Sequence, residues 1–376
     1  SLPIGFEAEC AADADAFTAV VQADLADALT TLGHRRRAGG KATADGWRAG
    51  RLHLLVISAA ISVLHQVSAS LASGQGLGRE TLANAEGLFD SRNPENPFHN
   101  YTKIFIPYCS GDVHWGAKET TYVLEQGPGG RPLPWVIHHR GTDNVLAALD
   151  WLQKNGRKQY RIDFRRARDV TVTGASAGGY GANVAFGYVA ELTPRARLNL
   201  ISDAAIGVLN ESFYKTAIFD PDDPGNESWG VRENLPPWVP GFDDALLVQG
   251  AMVPNSFVPS VFAALSNYRP NAHIASVTTN LDGVQIFFYG LMTGVVPPDI
   301  ATATEWYISM AQMTAVAAGL PNYRFFIEAG TFHTFIGDND AFYGVGANGI
   351  SLAEWVRQMI KPGNRTWENL DAGAPF

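Results

Sequence analysis

An α/β fold built on a mainly parallel sheet is what this chain predicts, and three observations carry the prediction. Short β-branched or aromatic runs alternate with amphipathic stretches from about residue 100 onward, and strands joined through helices pair in parallel. One of them, Asp169–Thr173 (DVTVT), runs into Gly174-Ala175-Ser176-Ala177-Gly178 and then into an apolar-faced stretch ending near Leu192. Strand, G-x-S-x-G, helix is the setting in which a serine hydroxyl is presented on a sharp turn. A late strand, Tyr323–Ile327, is followed closely by His333, which puts an imidazole where a base for that serine belongs.

Taken in order, residues 11–32 place Phe17, Val20, Val21, Leu25 and Leu29 near helical spacing. Residues 33–50 read as loop, and Leu52–Ile57 as a strand. Residues 58–85 are rich in Ala, Ser and Gly and hold no aromatic residue, unlike anything later in the chain. A Pro/Asn turn over Asn93–Asn100 leads into a strand at Lys103–Pro107. The loop Tyr108–Gly116 (YCSGDVHWG) follows it directly. Binding groups collect beyond the carboxyl ends of parallel strands, so Asp112 and Trp115 are expected to line a substrate pocket. Trp135–His139 reads as a strand. Asp143–Lys154 reads as a helix with apolar residues at 145, 146, 149 and 152 and Asp143 as its cap. Leu198–Ile201 is a strand ending at Ser202-Asp203, which places Asp203 in the pocket as well.

From Asn210 to about Val253 the pattern breaks into Pro, Asp, Asn and aromatic residues, as in FDPDDPGNESWG. That is too long for an ordinary connection and predicts, within a single domain spanning 1–376, either a cap or lid over about 205–260 or a surface excursion with no role in catalysis. Ile274–Thr278 is the next strand. Thr302–Ala318 is a helix with Met310, Met313 and Val316 on one stripe, and residues 351–360 form the last helix.

Composition narrows the function. A net charge of −9 and a pI near 5.5 exclude a nucleic-acid partner, because phosphate binding needs a basic stripe. The basic runs His34–Arg37 and Arg161–Arg168 read as solvated faces. The apolar run Leu52–Leu71 contains His53, His65, Gln66 and several Ser, too polar for a membrane span. Two cysteines, Cys10 and Cys109, allow at most one disulfide. The chain shows no H-E-x-x-H, no Cys cluster, no P-loop and no G-x-G-x-x-G, so neither a metal nor another cofactor is expected.

A serine hydroxyl becomes a nucleophile when a neutral imidazole takes its proton and an acid holds that imidazole in the right tautomer. Behind a G-x-S-x-G elbow the chain order is Ser, Asp or Glu, then His, each after a strand. Asp282, after the strand 274–278, and His333 fit that order with Ser176. Asp203, Asp299 and Asp338 compete with Asp282 for the acid.

Ile104–Gly116 (IFIPYCSGDVHWG), His139-Arg140-Gly141 followed by Asn144, Gly174–Gly179 (GASAGG), Asn280–Gln285 and Gly330–His333 occur in this order. Together they resemble the pectin acetylesterase/Notum family of α/β-hydrolases from about Leu88 to Ile360. The resemblance implies an α/β-hydrolase fold and a secreted or periplasmic serine carboxylesterase without cofactor. Its substrate would be an acylated small molecule or a polysaccharide such as pectin, with acetyl the expected acyl group. It gives Ser176, Asp282 and His333 the roles above and makes the Ala177 N–H one oxyanion donor. In the family a Gly-Gly loop after the strand matching Leu52–Ile57 supplies a further donor and a cysteine that can pair with the one matching Cys109. Here no Gly pair and no Cys stand between residues 58 and 87. That stretch is either divergent or read in a shifted frame. A broader short-chain carboxylesterase or polyester hydrolase remains an alternative, as does a carbohydrate- or lipid-binding homologue with an incomplete oxyanion hole.

Overall fold

β-Branched and apolar runs assemble into one parallel sheet. The computed structural model describes residues 53–58, 86–108, 110–124, 131–160, 162–250, 256–363 and 366–375. Among these, seven strands pair in parallel: β1 (His53–Ser58), β2 (Thr102–Pro107), β5 (Asp169–Ala175), β6 (Arg197–Asp203), β7 (His273–Thr279), β8 (Tyr323–Glu328) and β9 (Leu370–Asp371). Their order is β2-β1-β5-β6-β7-β8-β9. With Val172 opposite Leu200, Leu200 opposite Ile274 and Ile274 opposite Tyr323, all strands end at the same edge. The α/β-hydrolase class expected from the sequence is the one observed.

The sheet is covered on both faces, so even the Thr, Ser and Asn side chains of its central strands, among them Thr171, Thr173, Asn199, Ser202, Ser276 and Thr278, are buried. β5 is buried from Val170 to Ala175. Successive residues serve opposite sides: Leu200 and Ile274 pack in one cluster, Ile201 and Ala275 in the other. The first cluster gathers helices α1 (Gly141–Tyr160), α2 (Ala177–Leu192), α4 (Phe257–Tyr268) and α6 (Ile300–Ala317). The second gathers α7 (Leu352–Ile360), whose Trp355 meets Phe326 of β8 with ring centroids 5.6 Å apart. Each such fully buried large side chain contributes about 1.5–3 kcal/mol.

Several expectations need correcting. The strand read at Trp135–His139 is β4 (Leu133–His139), and it lies outside the main sheet. It pairs antiparallel with an unexpected strand, β3 (Lys118–Leu124), as a two-stranded ribbon. Helix α1 begins at Gly141, so Asp143 sits inside its first turn and pairs with Arg140 at 3.0 Å instead of capping. In α6, Met310 and Met313 are buried but Val316 is 71% exposed, and the buried stripe continues through Ala317 instead. The helix read at 11–32, the loop at 33–50, the stretch 59–85 and both cysteines lie outside the described residues.

The excursion after β6 is built of short helical pieces followed by α3 (Phe242–Gly250). Its Tyr214, Phe219, Trp229, Leu235 and Phe242 join the first core cluster. It is fastened to the ribbon by Lys118 Nζ, which donates to the carbonyls of Gly225 and Glu227, and by Thr120 Oγ1, which donates to Ser228 O. Helix α5 (Gly283–Thr293) follows β7. Among the described residues no helix is long and apolar enough to cross a membrane.

Candidate active site

The turn between β5 and α2 is strained at one residue. Ser176 has φ +56° and ψ −125°, a region that L residues avoid at a cost on the order of 1–3 kcal/mol. Its N–H donates to Asp203 O at 2.8 Å, and its carbonyl accepts from Gly179 N–H at 2.8 Å. Ser176 and Ala177 are partly exposed while the residues around them are buried, so the turn breaks the surface at the serine. Close approach explains the glycine at 179. A Cβ there would stand 2.6 Å from Ala205 Cβ and 2.8 Å from Asp203 O. Replacing Gly179 with valine is therefore expected to cost at least about 1–3 kcal/mol by overpacking, measured as a lower urea midpoint. An unchanged midpoint would show that the β6 end can yield.

Asp282 and His333 come from the turns after β7 and β8, at the same sheet edge as Ser176. Asp282 is the N-cap of α5 and is fully buried. Its Oδ1 accepts from Val284 N–H and Gln285 N–H at 3.1 and 3.0 Å, and its Oδ2 from Gln285 Nε2 at 2.8 Å. His333 Nδ1 lies 2.8 and 2.9 Å from the two carboxylate oxygens. A carboxylate only accepts, so Nδ1 carries the proton. That leaves Nε2 as the basic nitrogen, and it is buried with no hydrogen-bond partner among the described residues.

The two turns are held together. Leu281 N–H donates to Gly330 O, Gly283 N–H to Thr331 O, Gly330 N–H to Asn280 Oδ1, and Thr279 Oγ1 to Phe332 O. These bonds continue the β7–β8 pairing beyond the strands and join the turn of the acid to the turn of the base.

The three residues expected in the pocket are placed differently. Asp112 is fully buried and accepts from Ser110 Oγ and His114 N–H on Oδ1 and from Gly141 N–H on Oδ2. Burial pushes its pKa up and these bonds oppose the shift. It caps α1 and folds the loop 110–116 against it. Trp115 is 2% exposed, donates from Nε1 to Tyr180 O, and packs edge-on against Tyr180 and Phe257. Asp203 is fully buried, with Oδ2 accepting Phe335 N–H and Ile336 N–H. All three are turned inward because a buried polar group must find its partners in the chain.

Sequence reasoning missed Gln285. Its Nε2 donates to Asp282 and to Thr278 Oγ1, while its Oε1 accepts Ile206 N–H at 3.1 Å. Asp-x-x-Gln at a helix start is a capping-box spacing, and that was the available signal. Phe332, Phe287, Phe288 and Leu291 are exposed near the acid and base in sequence. They gave no signal beyond being apolar. No group of three or more His, Cys, Asp or Glu side chains among the described residues is placed to hold a metal ion.

Similarity to known proteins bears on the elbow first. The pectinacetylesterase family model matches residues 62–217. The matched segment contains the loop 108–116 and the Ser176 turn but ends before Asp282 and His333. The palmitoleoyl-protein carboxylesterase NOTUM of Schmidtea mediterranea is 30% identical over 96 residues, which is 25% of this chain. The matched part spans 15% of that relative's length.

Proposed function

We propose that this protein is a serine carboxylesterase that removes O-acyl groups, acetyl foremost, from an acylated small molecule or a polysaccharide such as pectin, outside the cytoplasm. One observation carries the reading. A serine at positive φ shares a sheet edge with an imidazole whose Nδ1 is held by a buried carboxylate and whose Nε2 is left open. Ser176 Oγ attacks the ester carbonyl as His333 Nε2 takes its proton. Asp282 keeps the imidazole in that tautomer and steadies the imidazolium. The N–H of Ala177, the first residue of α2, donates to the oxyanion. His333 then protonates the leaving alcohol, and water enters by the same route to release the acid. No metal or cofactor takes part in these steps. The excursion at 205–260 acts as the cap, tied to the acid side where Ile206 N–H meets Gln285 Oε1 and to the helix after Ser176 where Gly207 N–H meets Tyr180 OH.

A fluorophosphonate probe tests the nucleophile directly. The expected result is a single phosphonylated peptide containing Ser176, with loss of p-nitrophenyl acetate hydrolysis in proportion to labelling. Labelling elsewhere, or full activity after labelling, removes the reading.

A broader carboxylesterase acting on less polar short-chain or polyester substrates is favoured by the exposed aromatic residues. Phe332 adjoins His333 and is 45% exposed, and Phe287, Phe288 and Leu291 lie on the helix that Asp282 starts. An acyl series from acetyl to decanoyl separates the two. A maximum at acetyl supports the acetylesterase, and a maximum at longer chains supports the broader enzyme.

A further inference from the structure

One buried acid at the site has no part in the steps above. Asp203, the last residue of β6, accepts Ser176 N–H on its backbone carbonyl at 2.8 Å. On carboxylate Oδ2 it accepts Phe335 N–H at 2.7 Å and Ile336 N–H at 2.9 Å. Its Oδ1 is buried with no hydrogen-bond partner among the described residues. A single residue thus grips the chain at the nucleophile and again just past the base. The second grip falls where the backbone needs one. Thr334, between His333 and Phe335, is β-branched at φ +70°, a conformation such residues adopt only under constraint. Resting on the esterase reading, we propose that Asp203 is a positioning residue whose side-chain oxygen fixes the His333 turn against the Ser176 elbow.

The charged groups acting on Asp203 are His333, from the turn after β8, and Asp282, from the turn after β7. Burial pushes the Asp203 carboxyl up to about 7, against the pull of the two backbone N–H groups and His333. Both N–H bonds go to Oδ2, so a carboxyl protonated on Oδ1 keeps its hold on the turn.

Two variants separate positioning from scaffolding. Asp203→Asn keeps an oxygen for both N–H groups and drops the charge, whereas Asp203→Ala loses both. Asp203→Ala is expected to lower kcat roughly 10- to 100-fold, because a small misplacement of the base is costly, with KM within about twofold. Asp203→Asn should recover most of kcat at neutral pH. A wild-type kcat in Asp203→Ala, or a kcat in Asp203→Asn as low as in Asp203→Ala, overturns the proposal. If Asp203→Ala does not fold, Asp203→Ser, whose shorter hydroxyl falls short of the two N–H groups, takes its place with the same expected fall, and a wild-type kcat there overturns the proposal. Failure of the esterase reading looks different: Ser176→Ala then hydrolyses ester as fast as wild type.

Discussion

Replacing Ser176 with alanine is expected to lower kcat for p-nitrophenyl acetate by roughly 10⁴–10⁶-fold, as loss of a triad nucleophile does elsewhere. The substitution removes one oxygen and leaves the backbone its existing bonds, Ser176 N–H to Asp203 O and Gly179 N–H to Ser176 O. Alanine and serine both carry a Cβ, so the strain at φ +56° is unchanged, and the unfolding midpoint should stay at the wild-type value. Residual catalysis would come from binding and from the Ala177 N–H alone. Equal rates in wild type and variant would place the chemistry elsewhere and leave the fold as a binding scaffold.

The strand, elbow and helix over Asp169–Leu192 were legible because their determinants are local. A β-branched run, glycines at fixed offsets and a serine between them fix the turn wherever the rest of the chain goes. Asp282 and His333 were legible from chain order, since each follows a strand and the topology brings successive strand ends together. Direction was not legible. Asp112, Trp115 and Asp203 follow strands too, yet each points inward to backbone or ring partners that only the tertiary fold supplies. The ribbon strand Lys118–Leu124 opens with charged and hydroxyl residues and leaves Val123 53% exposed, so no apolar pattern announced it. Gln285 could have been read from its spacing to Asp282, because both the cap and the carboxylate bond depend on that offset.

The same network makes a sharp expectation for Asp282→Asn. In wild type the carboxylate accepts on both oxygens, from two backbone N–H groups, from Gln285 Nε2 and from His333 Nδ1. An amide offers one oxygen and one donor. The oxygen is expected to stay with Val284 and Gln285 N–H, since losing the helix cap costs about 1 kcal/mol. The new NH₂ then faces two donors, Gln285 Nε2 and His333 Nδ1–H. Gln285 resists turning over, because its Oε1 holds Ile206 N–H. His333 yields instead and moves its proton to Nε2, so that Nδ1 accepts from the amide. In that tautomer Nε2 cannot take the serine proton, and kcat should fall roughly 10⁴-fold with the geometry intact. Steady-state kinetics with a circular-dichroism control would measure this. A variant keeping more than about a tenth of the wild-type rate would mean that the tautomer is set by another acid.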